Sequence, residues 1–276
     1  MINNIIKVKI KYFKVTYKRR KDFMKKLFWI LLILGLVIAL LIGCTPPVPS
    51  EGEGEGEGEG EEEIIRVVLV ELFTQPGCPY CAIAEPNFEQ LADEYERTEV
   101  VFLEERPYGI YALPEILDRY KWYFSSSADR STPNMLFNGL NQRIYHTEAG
   151  YYLIKSKIET ELNKEAKITI TASRSSDSTS TTITGTIKNI SSSLLDNLVI
   201  NGMSYKNRGE TGLKYSVTDI FKEQEVEVSA LAAGESRSFS ITISNVNWDG
   251  NNLHGVIFVQ DTGSAKKEVL QALYID

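Results

Sequence analysis

The strongest constraint in this 276-residue sequence is a pair of cysteines, Cys78 and Cys81, between an apolar run and an amphipathic segment. The run from Ile64 to Phe73 reads IIRVVLVELF, and its β-branched residues predict a central strand covered on both faces. Residues 82–97 carry apolar side chains at helical spacing, which give the predicted helix a buried side: Ile83, Phe88, Leu91 and Tyr95. The order of strand, Cys-x-x-Cys and helix indicates redox chemistry.

The chemistry follows from the predicted position of Cys78 at the N-terminus of that helix. Unpaired backbone N–H groups and the helix dipole favour a thiolate there. We expect Cys78 to attack a substrate disulfide and Cys81, one turn later, to resolve the mixed disulfide. The alternative is a permanent disulfide that staples the helix start, although so short a loop contributes little closure entropy.

The segment that follows continues to alternate between strand and helix patterns. Residues 131–139 read STPNMLFNG and predict a turn, a strand and a second turn. The other predicted elements are a strand at Glu99–Glu104, a helix at Leu113–Trp122, a strand at Gln142–His146 and a helix at Tyr151–Asn163.

Residues 64–164 resemble the thioredoxin superfamily, in which a Cys-x-x-Cys motif faces a cis-proline loop. The resemblance is carried by the cysteine motif, by Thr132-Pro133 and by Phe137-Asn138-Gly139. It implies that Pro133 is cis and packs beside the cysteines, and that the backbone of Thr132 binds an extended substrate.

Three further residues are assigned through this resemblance. Pro79 and Tyr80, inside the motif, are expected to contact substrate and to tune the thiolate; the same Cys-Pro-Tyr-Cys occurs in many glutaredoxins. Thioredoxins place a buried acid six residues before the first cysteine, where this chain has Leu72 and, one residue earlier, Glu71. Glu71 is expected either to assist proton transfer from Cys81 or to face solvent from the strand.

The N-terminus reads as an export signal. Residues 1–26 carry ten Lys or Arg and one Asp, and an uncharged apolar run then spans residues 27–42. The end of that run, Leu41-Ile42-Gly43-Cys44, resembles the bacterial lipobox, which implies cleavage of residues 1–43 and lipid attachment to Cys44. An uncleaved transmembrane helix is the alternative. Met24 alone could start a complete signal.

A tether is predicted between the lipid anchor and the folded body. Residues 44–63 contain prolines and then a strict Glu-Gly alternation, which is flexible, self-repelling and without apolar residues to build a core. Both readings of the N-terminus place the body outside the cytoplasm, attached to the membrane of the cell envelope.

The composition excludes some classes of function. The basic residues of the signal leave an acidic body, which argues against nucleic-acid binding. Apart from Cys78 and Cys81, the body offers only His146 and His254 as soft metal ligands, a poor set for structural zinc. We therefore predict neither a metal nor an organic cofactor.

Residues 165–276 change to period-two patterning with Ser, Asn and Gly turns. Seven short strands predict an all-β, immunoglobulin-like sandwich as a second domain. The predicted strands begin at Lys167 and continue at Ser180–Asn189, Leu194–Gly202, Glu225–Ala230, Ser236–Ser244, Leu253–Asp261 and Glu268–Ile275.

This α/β and all-β pairing resembles the outer-membrane-protein-28-related lipoproteins. The residues that carry the resemblance are VELFT at 70–74, VIFVQD at 256–261 and KEVLQA at 267–272. The resemblance implies the two-domain architecture and does not supply a substrate.

The sequence thus predicts a membrane-anchored, extracytoplasmic thiol–disulfide oxidoreductase that acts on protein thiols or disulfides and needs a redox-recycling partner. The rival hypothesis is a non-catalytic surface lipoprotein whose two domains form an interaction scaffold. An accessible Cys78 beside Pro133 would favour the enzyme, and a buried one the scaffold. Glutathione-dependent reduction would require a cationic pocket near Tyr80.

Overall fold

The structure is a computed structural model, and it describes residues 64–145 and 147–275. The predicted signal region, Cys44, the acidic tether and His146 lie outside the described residues. Within the described ranges, no helix combines the length and the apolar composition needed to cross a membrane.

The described residues form three α-helices and twelve β-strands. The helices are α1 (Cys81–Glu94), α2 (Pro114–Tyr123) and α3 (Tyr151–Leu162). The first four strands are β1 (Val68–Phe73), β2 (Val100–Glu105), β3 (Asn134–Phe137) and β4 (Gln142–Tyr145). The later strands are β5 (Ile168–Ser176), β6 (Ser180–Asn189), β7 (Leu195–Lys206), β8 (Ser216–Ile220), β9 (Val226–Leu231), β10 (Ser236–Ser244), β11 (His254–Asp261) and β12 (Val269–Ile275).

A nine-stranded sheet organises the fold, with the order β12-β11-β7-β8-β2-β1-β3-β4 and with β9 paired to β7. Strand β1 is central: it pairs in parallel with β2 and antiparallel with β3. Its even-numbered residues pack against α1 and α3, and its odd-numbered apolar residues pack against α2. This alternation is the consequence of the two-residue period of a strand, and it explains why the whole of β1 is buried.

The strands after residue 165 form two layers. Strands β5, β6 and β10 make a separate three-stranded sheet. Its apolar face encloses a core together with residues of β7, β9, β11 and β12 from the large sheet. The second half is therefore two sheets packed face to face, but one of these sheets continues into the first half, which the predicted self-contained sandwich did not include.

The seam between the halves lies at β8, a strand that the sequence analysis missed. Glu104 of β2 pairs in parallel with Ser216 of β8, and its backbone N–H donates to the Tyr215 carbonyl at 2.9 Å. The β12 side chains Tyr274 and Gln271 accept hydrogen bonds from the backbone N–H groups of Phe102 and Val67, at 2.8 and 2.7 Å.

The core is also continuous across the predicted domain boundary near residue 165. One cluster of buried side chains joins Leu103 and Tyr120 of the first half to Val217 and Phe258 of the second. The described residues from 64 to 275 accordingly belong to one compact unit.

Candidate functional site

The two cysteines form a disulfide at the start of α1, with Cα atoms 5.2 Å apart. Helix α1 begins at Cys81, so Cys78 lies in the turn just before the helix and not in its first turn. The backbone N–H of Cys81 nevertheless donates to Cys78 Sγ at 3.1 Å, which gives this sulfur one of the unpaired N–H groups of a helix start. Cys78 is half-buried and Cys81 is only 1% exposed.

The buried side of α1 contains Cys81. Its buried residues are Cys81, Ala84, Phe88 and Leu91, which follow the three- and four-residue spacing of one helix face. The prediction for Ile83 was wrong, because this side chain is 37% exposed. The buried face of α1 runs from Cys81 to Leu91, and Ile83 lies at the edge of this face, where its side chain contacts solvent.

The loop before β3 approaches Cys78 directly. The Thr132–Pro133 peptide bond is cis, as the resemblance implied, and Pro133 is buried. The carbonyl oxygen of Thr132 lies 3.4 Å from Cys78 Sγ. A segment 54 residues away in sequence therefore forms one wall of the cysteine site.

Helix α2 holds this loop in place. The Tyr120 hydroxyl donates to the Ser131 carbonyl at 2.9 Å and accepts from Asn134 Nδ2 at 2.8 Å. The Tyr120 ring stacks on Phe73 at the end of β1, with centroids 4.3 Å apart. One aromatic side chain thus connects the strand that leads to the cysteines with the loop that faces them.

An open cleft of about 330 Å³ adjoins the disulfide. Residues on both sides of the motif line it: Gln75, Pro76, Gly77, Cys78, Pro79, Cys81, Ala82, Glu85 and Arg106. Pro79 and Tyr80 are exposed, and Tyr80 presents 45% of its surface to solvent at the rim.

Glu71 lies on the other side of the sheet from α1. It is fully buried, so the expectation that it faces solvent was wrong. Arg119 Nε of α2 lies 2.5 Å from its Oε1, and the Tyr123 hydroxyl donates to its Oε2 at 2.8 Å. The structure does not bring Glu71 into the cleft that holds Cys81.

A second buried acid accompanies this ion pair. Both carboxyl oxygens of Glu105 are buried without a hydrogen-bond donor among the described residues. Burial raises the pKa of Glu105 well above its ordinary value, and the neighbouring Glu71 carboxylate raises it further, against the opposing charge of Arg119. Both causes favour the neutral carboxylic acid of Glu105 over its carboxylate form.

The acid that does share the cleft is Glu85, which the sequence analysis missed. It follows Cys81 by four residues on α1, a spacing that places two side chains on the same helix face. That spacing was the available signal for Glu85, whereas the thioredoxin resemblance pointed to an acid before the motif.

The described residues around the cysteines do not form a metal centre. Among residues 64–145 and 147–275, no three His, Cys, Asp or Glu side chains are grouped so that they could hold a metal ion.

Comparisons with known proteins give a likeness of fold. No family model matches the sequence, and no curated protein matches it. Among solved structures, HBP35 of Porphyromonas gingivalis superposes with a TM-score of 0.60 at 16% identity, over 76% of this chain and 75% of that one. A domain of the outer membrane lipoprotein Omp28 from Porphyromonas gingivalis gives a TM-score of 0.30 at 15% identity, over 40% of this chain and 88% of that one.

The first of these likenesses is extensive enough to describe the architecture of the chain. It covers about three quarters of both proteins, so it includes parts of both halves of the large sheet. The described residues are thus a mixed α/β protein that is similar in fold to HBP35, with a disulfide at the start of one helix.

Proposed function

We propose that this protein is an extracytoplasmic thiol–disulfide oxidoreductase with a thioredoxin-like active site, in which Cys78 attacks and Cys81 resolves. The observation that carries the proposal is the asymmetry of the disulfide beside the cis-proline loop. Cys78 is half-buried next to Thr132 and the cleft, whereas Cys81 is almost wholly buried behind it. A disulfide with one approachable sulfur is suited to exchange.

Each residue has a distinct role in this mechanism. The reduced Cys78 sulfur is stabilised as a thiolate by the Cys81 N–H, and it forms a mixed disulfide with a protein substrate. The backbone of Thr132, before the cis Pro133, pairs with an extended substrate segment, while Pro79 and Tyr80 contact it from the rim. Cys81 then attacks Cys78 and releases the substrate thiol.

The membrane attachment is part of the same proposal and is supported by the sequence alone. Lipidation of Cys44 and the acidic tether of residues 44–63 would hold the redox body at the surface of the envelope membrane, where a partner can recycle the cysteines.

Glutathione-dependent reduction finds less support at this site. Arg106 is the single cationic residue among the nine described residues that line the cleft. Its Nη2 already donates to the Gly212 carbonyl at 2.9 Å, and its side chain is only 8% exposed. The described residues of the cleft therefore offer little accessible positive charge for the glutathione carboxylates.

The reduction potential of Cys78–Cys81 in the full-length protein tests the proposal, with Cys78→Ser as the control. A potential near about −120 mV would identify a disulfide donor, and one near about −270 mV a reductant. A pair that stays oxidised below about −300 mV behaves as a structural disulfide, and the scaffold hypothesis would then replace the enzyme.

A further inference from the structure

The carboxyl group of Glu85 is placed where the resolving cysteine needs a base. Cys81 is 1% exposed, so its thiol cannot give its proton readily to bulk water. Glu85 lines the same cleft one helical turn further along α1. At this spacing a carboxylate reaches the neighbouring side chain directly or through one water molecule.

The contacts of Glu85 fix one oxygen and leave the other for proton transfer. Thr74 Oγ1 donates to Glu85 Oε1 at 2.5 Å, and Arg106 Nη2 lies 3.5 Å from the same oxygen. Among the described residues, no hydrogen bond engages Oε2. The side chain is 13% exposed, so the proton it receives can continue to solvent.

A loop from the second half of the chain closes over this acid. Gly212 has a φ of +76°, and a Cβ atom at this position would overlap the Glu85 carboxylate. The Gly212 N–H donates to Glu89 Oε1 at 2.8 Å, and its carbonyl accepts from Arg106. The close packing of Gly212 limits the access of solvent to one side of Glu85 and restricts the movement of its carboxylate away from α1.

We propose that the carboxylate of Glu85 accepts the proton of the Cys81 thiol when Cys81 resolves the mixed disulfide on Cys78. This proposal rests on the proposed oxidoreductase function and gives to Glu85 the role that the sequence suggested for Glu71. As the proton moves to Glu85, the Cys81 electron pair forms the bond to Cys78 Sγ. The bond from Cys78 Sγ to the substrate sulfur breaks, and the substrate leaves as a thiolate, reduced, while the two cysteines are oxidised to a disulfide.

The charged groups around Glu85 support this role. Burial raises the pKa of Glu85, the contacts with Thr74 and Arg106 oppose the rise, and Glu89 on the same helix adds to it. Glu104 of β2 lies in the same cluster, and burial raises its pKa to about 8, which leaves it neutral at pH 7. A carboxylate with a raised pKa is a better match to a thiol than one at its ordinary value.

The reaction of the reduced, full-length protein with 5,5′-dithiobis(2-nitrobenzoate) separates the two steps in a stopped-flow experiment. Attack by Cys78 releases the first thionitrobenzoate at a rate that depends on reagent concentration. Displacement by Cys81 releases the second at a rate that does not. The proposal predicts that Glu85→Gln leaves the first phase within about twofold and slows the second at least about tenfold at pH 7, with a rate that then rises with hydroxide concentration.

The control is Glu94→Gln, which makes the same chemical change on an exposed carboxyl of α1 and should alter neither phase. A second phase of Glu85→Gln within about twofold of the wild type would overturn the proposal while leaving the oxidoreductase intact. If the wild-type protein itself shows no second phase, the proposed function fails instead.

Two further measurements distinguish proton transfer from structural or electrostatic effects. Removal of a neighbouring negative charge lowers the pKa of the Cys81 thiol, which can be followed by NMR with ¹³Cβ-labelled cysteine. Electrostatics alone would therefore speed resolution, so slower resolution with a lower thiol pKa supports the proposal. In Glu85→Ala, added formate should restore the second phase, and failure to do so in a folded protein would contradict it.

Discussion

At the scale of single residues, Glu104 is the buried acid with the clearest consequence for stability. Its Oε2 accepts from the Tyr215 N–H at 2.8 Å at the seam between β2 and β8, and its Oε1 is buried with no donor among the residues that the structure describes. Burial is the main cause that raises its pKa to about 8. Between about pH 4.5 and about pH 8 the folded protein keeps a proton that the unfolded chain has released, so the free energy of unfolding falls as the pH rises through this interval.

We expect Glu104→Gln to flatten this part of the pH profile, because glutamine imitates the neutral acid and keeps the oxygen that faces Tyr215. In urea unfolding, the free energy of unfolding of the wild type should fall between pH 5 and pH 8 by at least about 1 kcal/mol more than that of the variant. Glu96→Gln, at an exposed carboxyl, should follow the wild type. Equal slopes for Glu104→Gln and the wild type would show that Glu104 ionises normally.

The acids also show what the sequence could and could not reveal about the site. The Cys-x-x-Cys motif and the Thr132–Pro133 pair are each short, contiguous stretches of sequence. Cys78, Cys81 and the cis-proline loop could therefore be predicted. The ion-pair partner of Glu71 could not be predicted, because Arg119 lies on α2, 48 residues further along the chain, and contacts Glu71 only in the folded protein. Strand alternation places Glu71 on the α2 face, whereas helical spacing places Glu85 in the same cleft as Cys81.

At the scale of elements, α2 controls the cis-proline loop through the Tyr120 hydroxyl. We expect Tyr120→Phe to lower the free energy of unfolding by about 1–2 kcal/mol, since the Ser131 carbonyl and Asn134 each lose a partner. Under the proposed function, the loosened loop should slow the reduction of a protein disulfide more than that of a small aromatic disulfide. In the proposed mechanism, only a protein substrate pairs with the Thr132 backbone.

Parallel assays of Tyr120→Phe with both substrates test this difference. The control is Tyr152→Phe, which removes a hydroxyl from a side chain that is 84% exposed. If Tyr120→Phe slowed both substrates equally, the loop would act on the cysteines themselves and not on a substrate groove.

The strands show how far local patterning predicts structure. Strands β6 and β10 have the predicted bounds. Apolar and polar residues alternate in β10 from Ser238 to Ser244, and in β6 the buried Ile183 and Ile187 lie on one face among polar residues. Strand β8 was missed: it has five residues, SVTDI, and it joins the first half through the pairing of Glu104 with Ser216. A pairing across more than one hundred residues leaves no local signal, so the continuity of the sheet could not be inferred from the sequence.

At the scale of the whole molecule, that continuity decides how the body unfolds. The sequence predicted two domains that meet near residue 165, whereas the buried cluster with Tyr120 also contains Val217, Val256 and Phe258. If residues 64–164 unfolded alone, the core residues of the second half would become exposed to water. The Gln271 and Tyr274 side chains would also lose their hydrogen bonds from the Val67 and Phe102 N–H groups. We therefore expect one cooperative transition.

This expectation is tested by a substitution in the three-stranded sheet whose effect on unfolding is measured with a fluorescent probe in the first half of the chain. In a Trp29→Phe/Trp248→Phe background, fluorescence reports Trp122 alone, on α2. Ile241→Val in β10, at a fully buried side chain, should cost about 1 kcal/mol. If the body unfolds as one cooperative unit, the urea midpoint measured by Trp122 fluorescence should fall by the amount that corresponds to this loss of stability. The free energy of unfolding is then shared by all described strands and helices. Two independent domains would leave the Trp122 midpoint unchanged, and the shared core would then contribute too little to couple them.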